Sequence, residues 1–571
     1  MLQGCQAVAE KYFLPVNGIR DMEYDVEENY RIPVPMRDGI NLYADIYHPI
    51  TDKNIPTILV RIPYSLTLTN SVKSEAIARF WARRGYHVVI QATRGRYQSE
   101  GEFYPLRNER NDGVDTLNWL SSQAWYDGRL GMWGGSAFGH TQWVLADQEN
   151  PGPKALNIQI SSTSNYDMFY PGGGFSLESA LFWAIRSKKA NGKIANQHEL
   201  NKGYSGFSLL EADNRAYTDI SYFNDWVRHT ERDNYWSEID GVDRAKNVKA
   251  PVLLAAGWFD PYLPSQLRDF KTIRSSENPV VANKSRLIIG PWAHATSVKL
   301  PGKVKTEDYR QAVLANSIDW FDRILKFEKH HQKPTFPVKI YVMGENVWRN
   351  EHEWPLQRAK YTSYYLLSAG DAGHTLNGEL SLRSSKENLK EDSYIYDPKN
   401  PVQSAGGAVL GFNAGIKLQN NIEQRPDVLV YTTPKLKQAT EVTGPIKVVL
   451  YVTTTALSTD FTAKLVDVHP DGSAYNVTDG LLRKKYRPQI GRLHKQEPEK
   501  IEIELWPTSM VFKEGHQIRL EISSSNYPRY DRNPNTGNKN YEEDNPVSAK
   551  QSIFHGERYH SRIILPIIER S

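Results

Sequence analysis

Short apolar runs alternate with amphipathic segments over roughly the first 330 residues of this 571-residue chain. Runs typical of buried strands include PTILVRIPY (56–64), YHVVIQATRGR (86–96) and GRLGMWGGS (128–136). Between them, SEAIARFWARRG (74–85) and RNDGVDTLNWLSSQ (110–123) space their apolar residues as a helix does. Repeated strand–helix alternation predicts a mainly parallel sheet with helices on both faces.

Two changes of composition divide the chain further. Residues 165–249 are polar and aromatic, with helical pieces such as SLESALFWAIRSKKA (176–190) and no strand-like run. After about residue 333, β-rich runs separated by turn residues are typical of an antiparallel sandwich or jelly roll. The predicted organisation is a leader (1–30), an α/β domain (31–164 and 250–333), a helical insertion that caps the sheet (165–249) and an all-β domain (334–571).

Charge and cysteine content exclude several classes of protein. The chain carries 70 basic and 66 acidic residues, a net charge of +4 that provides no general attraction to nucleic acid or membranes. Cys5 is the single cysteine, which excludes an intramolecular disulfide and a cysteine-based zinc site. No stretch approaches the ~20 apolar residues that a spanning helix needs.

Cys5 ends the stretch LQGC (2–5), which resembles the end of a bacterial lipoprotein signal. In such signals the cysteine carries a lipid anchor, but the charged and apolar regions that precede it are missing from this sequence. Two locations therefore stay open. The protein is cytoplasmic, or it is an extracytoplasmic lipoprotein anchored through Cys5 if the signal has been trimmed.

A glycine-rich turn joins a strand-like run to a helical one. The segment GGSAFG (134–139) has the form G-x-S-x-x-G and differs by one position from the G-x-S-x-G nucleophile elbow. At such an elbow the serine Oγ is exposed, and the following helix offers a backbone N–H and a partial positive charge to an oxyanion. Glycine–serine turns are common, so the motif alone favours catalysis and a structural turn equally.

Two polar residues follow later strands in the order that this elbow requires. Asp260 ends PVLLAAGWFD (251–260), and His294 ends RLIIGPWAH (286–294). A nucleophilic serine needs an imidazole as base and a carboxylate to orient it, here expected in the order Ser, Asp, His after successive strands. The three positions together favour a triad of Ser136, His294 and Asp260 over unrelated turn residues.

Motifs along nearly the whole chain resemble the CocE/NonD family of hydrolases. They are MRDGINLYADIY (36–47), RIPY (61–64), RGRYQSEGEF (94–103), GMWGGSAFGHTQW (131–143), GWFD (257–260) and GPWAH (290–294). The resemblance implies an α/β-hydrolase domain with an inserted helical cap, followed by a C-terminal all-β jelly-roll domain. It also implies that Ser136 is the nucleophile, Asp260 the acid and His294 the base. The Tyr64 hydroxyl and the backbone N–H of Ala137 would form the oxyanion hole.

One position departs from the family pattern. The family commonly has a tyrosine directly after the nucleophile, where this chain has Ala137. The backbone donor is unaffected, but the missing ring is expected to reshape the pocket. Seven aromatic residues flank the predicted site and are candidates for the pocket wall, with core packing as the alternative for each: Trp133, Phe138, Phe182, Trp183, Trp258, Phe259 and Trp292.

The predicted function is a serine hydrolase that cleaves a carboxylic ester or amide in a small molecule through an acyl-enzyme, without a cofactor. An esterase or acylase is preferred over an X-Pro dipeptidyl-peptidase, because those peptidases usually carry extra N-terminal elements for a peptide amine. A catalytically degenerate carbohydrate- or surface-binding protein is the alternative outside the enzymes. The adjacent histidines of KHHQK (329–333) are expected to face solvent rather than to bind a metal. An interface leaves no distinct pattern, so no oligomeric state is predicted.

Overall fold

The computed structural model describes residues 19–64, 68–189, 195–240, 244–294, 296–302, 304, 306, 309–326, 336–373, 377–486, 497–539 and 541–569. Cys5, with its candidate lipid anchor, and the histidines of KHHQK lie outside these residues. Within the described ranges, no helix is both long enough and apolar enough to cross a membrane.

The first sheet contains eleven strands. They are β1 (Val26–Pro35), β2 (Asn41–Pro49), β3 (Thr57–Ile62), β4 (His87–Ala92), β5 (Leu130–Gly135), β6 (Ala155–Gln159), β7 (Val252–Phe259), β8 (Arg286–Ala293), β9 (Thr296–Ser297), β10 (Val338–Val342) and β11 (Val347–Glu351). Their spatial order is β1-β2-β4-β3-β5-β6-β7-β8-β10-β11, with β9 beside β8. Along this order the strands from β4 to β10 are parallel to their neighbours, whereas β1, β2, β9 and β11 pair in antiparallel fashion.

The middle of this sheet is covered on both faces. Every residue of β3, β4, β6 and β7 is buried, as expected of parallel strands with helices above and below. The helices that alternate with the strands are Leu68–Ala82, Glu109–Ser121, Ala137–Trp143, Leu263–Arg274, Pro279–Lys284 and Tyr309–Phe321, the last continued by a π-helical segment, Asp322–Lys326. This alternation agrees with the pattern of apolar runs in the sequence.

Between β6 and β7 the described chain forms helices and turns. The helices are Tyr166–Phe169, Leu177–Lys188, Gln197–Tyr204, Ala212–Ala216, Ser221–Arg228, Asn234–Ile239 and Arg244–Asn247, with 3-10 turns at Pro171–Gly173 and Leu209–Glu211. Their core is aromatic: the Trp183 and Trp226 rings stack with centroids 5.0 Å apart, and Phe169 packs 4.7 Å from Trp226. Ala137 and Tyr262 belong to the same buried cluster, so these helices pack directly on the edge of the first sheet.

The limits of the first sheet differ from those predicted. β1 begins at Val26, inside the segment assigned to a leader, and β10 and β11 extend the sheet beyond residue 333 to Glu351. β10 joins because it pairs in parallel with β8, and the turn after it pairs with the all-β half through the Met343 N–H, which donates to Ser509 O at 3.0 Å. Which sheet a short strand joins depends on these long-range pairings, which its local sequence does not encode.

The second sheet also contains eleven strands. They are β12 (Lys360–Leu367), β13 (Gly378–Ser381), β14 (Asp392–Tyr396), β15 (Leu429–Thr432), β16 (Thr440–Thr454), β17 (Ser458–Val468), β18 (Ala474–Lys485), β19 (Glu499–Phe512), β20 (Gln517–Ser523), β21 (Ala549–Phe554) and β22 (Arg562–Ile568). Their order is β14-β21-β16-β22-β12-β13-β15-β20-β17-β18, with β19 beside β16. Pairing is antiparallel except between β13 and β15. One short helix, Asn420–Glu423, interrupts the described strands.

Candidate active site

Ser136 lies at the carboxyl end of β5, near the middle of the first sheet. Its φ of 58° and ψ of −127° fall in a region that non-glycine residues rarely adopt. The turn is held on both sides: the Ser136 N–H donates to Gln159 O at 2.9 Å, and Ser136 O accepts from the Gly139 and His140 N–H groups at 2.8 and 3.0 Å. Strain of this kind costs about 1–3 kcal/mol and persists where the surroundings over-determine the backbone. The turn therefore holds this serine at the edge formed by the carboxyl ends of the parallel strands.

Two glycines of the motif leave the space that this turn requires. Gly134 has a φ of 145°, and a Cβ placed there would lie 2.6 Å from the Cβ of Phe138. A Cβ on Gly139 would lie 2.5 Å from the Cβ of Ser161, at the start of the segment that follows β6. Both distances are too short for two carbon atoms that are not bonded to each other. The glycines thus let the helix Ala137–Trp143 approach β5 and the neighbouring chain closely.

Three polar side chains form a continuous hydrogen-bonded row at this edge. The Ser136 Oγ lies 2.8 Å from His294 Nε2, and His294 Nδ1 lies 2.6 Å from Asp260 Oδ2. A carboxylate can only accept, so Nδ1 carries the proton and Nε2 is left to accept the serine hydroxyl. Asp260 follows β7 and His294 follows β8, and parallel strands bring their carboxyl ends to one edge.

Asp260 is fully buried behind the histidine. Its Oδ1 accepts the backbone N–H of Tyr262 at 2.9 Å, so each carboxylate oxygen has a different donor. Burial raises the pKa of the Tyr262 phenol, which therefore stays neutral beside this carboxylate. These contacts hold Asp260 in a single orientation toward His294.

Tyr64 and Ala137 are the two predicted oxyanion donors. Tyr64 follows β3 and lines the same cavity as Ser136, and its hydroxyl oxygen accepts the Trp183 Nε1–H at 3.3 Å. Because that oxygen is the acceptor in this contact, its own proton can be donated to another group. Ala137 is the first residue of its helix, and the first N–H groups of a helix have no partner within it. Both groups are donors beside the serine.

A cavity of about 520 Å³ opens beside Ser136 and His294. Four of the seven aromatic candidates, Trp133, Phe138, Phe182 and Trp183, line it. Other apolar walls come from β3, β4 and several more distant segments. Its size and mostly apolar lining are those of a small-molecule site.

The prediction is wrong for the other three aromatic candidates, which pack in the core. Trp258 is 3% exposed, and its Nε1–H donates to Tyr341 O at 2.8 Å. Phe259 and Trp292 are 1% and 0% exposed, and Trp292 packs against Tyr309 with ring centroids 5.3 Å apart. Proximity to Asp260 and His294 in sequence suggested a pocket position. All three rings instead stand within β7 and β8, which are covered by other elements, and they pack against those elements.

Sequence reasoning missed most of the wall outside the aromatic candidates, including one helix face and one loop. The helix face is that of Tyr309–Phe321 which carries Tyr309, Val313 and Leu314, and the loop is 409–412 of the all-β half. The i, i+4 spacing of Tyr309 and Val313 signals an apolar helix face, but not what it faces. Tyr309 donates its hydroxyl to Gln159 Oε1 at 3.1 Å, and burial raises the pKa of this phenol, so it remains a donor.

The charge of the cavity wall is positive. Arg186 and Arg310 line it, and no aspartate or glutamate is among the lining residues in the described part of the chain. Arg186 is exposed, with its guanidinium carbon 5.0 Å from the centre of the Tyr64 ring. An anionic or neutral substrate is therefore better matched to this wall than a cationic one.

Known proteins resemble this chain over nearly its full length. Residues 38–296 match the family model for X-Pro dipeptidyl-peptidase (S15 family), and residues 330–564 match that for the X-Pro dipeptidyl-peptidase C-terminal non-catalytic domain. Cocaine esterase of Rhodococcus sp. (strain MB1 Bresler) is 35% identical over 582 residues, which cover 96% of this chain and 100% of that one.

Two solved structures share the fold over almost the full length. An aminopeptidase from the marine sediment archaeon Thaumarchaeota archaeon has a TM-score of 0.79 at 23% identity, over 97% of this chain and 99% of that one. An α-amino acid ester hydrolase has a TM-score of 0.78 at 22% identity, over the same shares of the two chains.

These findings define the chain as a serine hydrolase of the α/β-hydrolase class, with a C-terminal half rich in β-strands. It is an enzyme for ester or amide bonds, which removes the alternative of a non-catalytic binding protein. Within that class, the chain belongs to the CocE/NonD family of hydrolases.

Proposed function

We propose that this protein is a carboxylic ester hydrolase in which Ser136 is the nucleophile, His294 the general base and Asp260 the residue that orients the base. The observation that carries the proposal is the hydrogen-bonded row in which His294 lies 2.8 Å from Ser136 Oγ and 2.6 Å from Asp260. His294 Nε2 takes the serine proton as Oγ attacks the substrate carbonyl, and then returns it to the leaving alcohol. Water, activated by the same nitrogen, releases the acid from the acyl-enzyme.

The oxyanion of the tetrahedral intermediate is assigned to the Tyr64 hydroxyl and the Ala137 N–H. Tyr64 shares the cavity with Ser136, and its contact with Trp183 Nε1 occupies the oxygen rather than the proton. Ala137 is N1 of the helix that starts at the serine, where the positive end of the helix dipole adds to its N–H. Because the donor is a backbone group, the absence of a tyrosine ring at this position leaves the hole intact.

The proposed substrate is an ester with an apolar acyl or alcohol part and no cationic group. Trp133, Phe138 and Phe182 supply apolar surface, and Arg186 places a positive charge beside the Tyr64 ring. A peptide amine or α-amino ester brings an ammonium group, which needs carboxylates in the wall. An X-Pro dipeptidyl-peptidase activity is the second candidate, supported by the match to that family model over residues 38–296.

The finer architecture belongs to the same proposal. The helices between residues 165 and 249 act as a cap, because Phe182, Trp183 and Arg186 of the helix Leu177–Lys188 line the cavity. The all-β half is a jelly roll, supported by its nearly complete antiparallel pairing. It also takes part in the site, since its Gly411 and Phe412 stand in the wall near Phe182.

Replacement of the nucleophile tests the catalytic assignment. Ser136→Ala should lower kcat on p-nitrophenyl esters by about 10⁶ and abolish covalent labelling by a fluorophosphonate probe. Ser121→Ala, at an exposed serine on the helix Glu109–Ser121, should change neither. Hydrolysis that survives undiminished in Ser136→Ala would refute the assignment. A panel of p-nitrophenyl esters, aminoacyl esters and X-Pro amides then separates the two candidate activities.

A further inference from the structure

Three side chains with metal-ligand chemistry stand together at one end of the second sheet, apart from the catalytic machinery. Asp467 and His469 are two residues apart at the end of β17, so they lie on the same face. β17 pairs with β20 in antiparallel register, with Asp467 opposite Ile518 and Val468 opposite Gln517. One further step along this register places His516 opposite His469. The pairing register of β17 and β20 therefore brings the three side chains together.

The distances among the three groups suit a metal ion. His516 Nδ1 lies 2.9 Å from Asp467 Oδ1, and His469 Nε2 lies 3.3 Å from Asp467 Oδ2. One ligand atom from each residue lies within 4.8 Å of the others, and the two imidazole centroids are 4.4 Å apart. With metal–ligand bonds of about 2.0–2.2 Å, neighbouring ligand atoms in a tetrahedral site are about 3.3–3.6 Å apart. Small side-chain adjustments would bring this cluster to that geometry.

The surroundings leave room for a fourth ligand. A cavity of about 50 Å³ is lined by all three residues together with Leu300, Met343 and Asn346, which is space for a water molecule. Asp467 is 2% exposed and His516 is 8% exposed. A buried carboxylate requires a compensating charge. Lys513 also lines this cavity, but its side chain is exposed and can extend into solvent.

We propose that Asp467, His469 and His516 bind one Zn²⁺ ion, with water from the adjoining cavity as the fourth ligand. Two imidazoles and a carboxylate form a donor set that zinc accepts. The ion would join the end of β17 to the start of β20 next to the turn between β10 and β11. The rival arrangement is a metal-free one, in which both histidines donate N–H groups to Asp467. It uses the same two ring nitrogens, so the two states are mutually exclusive.

Titration of the full-length chain with ZnCl₂, after removal of metals by a chelator, tests this site by calorimetry. The expected result is one ion per chain, with Co²⁺ giving the visible spectrum of a tetrahedral complex. His469→Gln should weaken binding by more than roughly 100-fold, because loss of a mere outer-shell partner already costs 10–100-fold. His469→Cys supplies a thiolate ligand and should retain binding.

Two control variants separate this site from other histidines. His352→Gln removes an exposed histidine elsewhere, and a variant with both His330 and His331 changed to Ala removes the adjacent pair. Each should bind zinc as the wild type does. Absence of stoichiometric binding by the wild-type chain would overturn the proposal. So would binding that survives in His469→Gln and disappears with the His330–His331 pair. Catalytic activity is not a readout, so the result is independent of the proposed ester hydrolysis.

Discussion

Replacing the buried carboxylate of the proposed triad by its amide should invert the hydrogen bonding at His294. In the wild type, Asp260 Oδ1 accepts the Tyr262 N–H at 2.9 Å and Oδ2 faces His294 Nδ1 at 2.6 Å. In Asp260→Asn, the Tyr262 N–H can only be matched by the amide oxygen. The amide NH₂ must then point at Nδ1. His294 is forced to present a lone pair there and to carry its proton on Nε2, so it cannot accept the proton of Ser136.

The size of the expected decrease in kcat follows from the interaction that Asp260→Asn removes. The side chain keeps its size and its bond to Tyr262, so packing and folding should change little. What disappears is the correct tautomer and the stabilisation of the imidazolium that forms during attack, which in serine proteases costs about 10⁴ in kcat. That loss corresponds to about 5.4 kcal/mol of transition-state stabilisation. Substrate contacts are untouched, and KM should therefore stay close to the wild-type value.

The assay is steady-state hydrolysis of a p-nitrophenyl ester, with circular dichroism to show that the variant is folded. Asp319→Asn is a matched control, because that carboxylate is 44% exposed and pairs with Arg323 on its own helix. It should leave kcat unchanged. A folded Asp260→Asn enzyme whose kcat lies within tenfold of the wild type would refute the role given to this carboxylate.

Three further predictions address the oxyanion hole, the cavity charge and a buried acid. Tyr64→Phe removes one oxyanion donor and should lower kcat by about 10²–10³, measured on the same ester. Arg186→Glu reverses the charge beside Tyr64. The ratio of kcat/KM for an anionic succinyl ester to kcat/KM for a cationic glycyl ester, both p-nitrophenyl esters, should therefore fall by roughly 10-fold. Lys188→Glu, on the same helix but outside the described wall, should leave this ratio unchanged. Burial raises the pKa of Glu178 from 4.5 to about 7. Between these two pH values the folded state binds more protons than the unfolded state, so the free energy of unfolding falls as pH rises from 4.5 to about 7. Glu178→Gln abolishes that fall and should be more stable than wild type at pH 8 by up to about 3 kcal/mol, with little difference at pH 4, as measured by urea unfolding.

Each of these has a result that contradicts it. A Tyr64→Phe enzyme with wild-type kcat would show that the hydroxyl does not stabilise the oxyanion. Equal effects of Arg186→Glu and Lys188→Glu would mean that the net charge of the protein surface, rather than the charge of the cavity wall, sets the preference between the two esters. If Glu178→Gln differs from the wild type by the same amount at both pH values, the buried carboxyl does not titrate in that window.

Local patterns in the sequence were sufficient for the elements that carry the proposed triad. Apolar runs marked β5, β7 and β8, and the small residues around Ser136 marked a turn that only glycine neighbours permit. Parallel strands end at a common edge, so the residues that follow them can be predicted to meet without knowledge of the rest of the fold. The sequence was therefore sufficient to predict Asp260 and His294 as partners of Ser136.

The cavity wall and the sheet boundaries were decided by tertiary structure. Trp258 and Trp292 stand next to the site in sequence yet pack in the core, against Trp354 and Tyr309 from other parts of the chain. Phe412 enters the wall from another domain, and His516 meets Asp467 through a ladder between strands far apart in the chain. β10 joined the first sheet through its pairing with β8. Strand register and the packing of distant segments are set by the whole core, so no local window of sequence contains them.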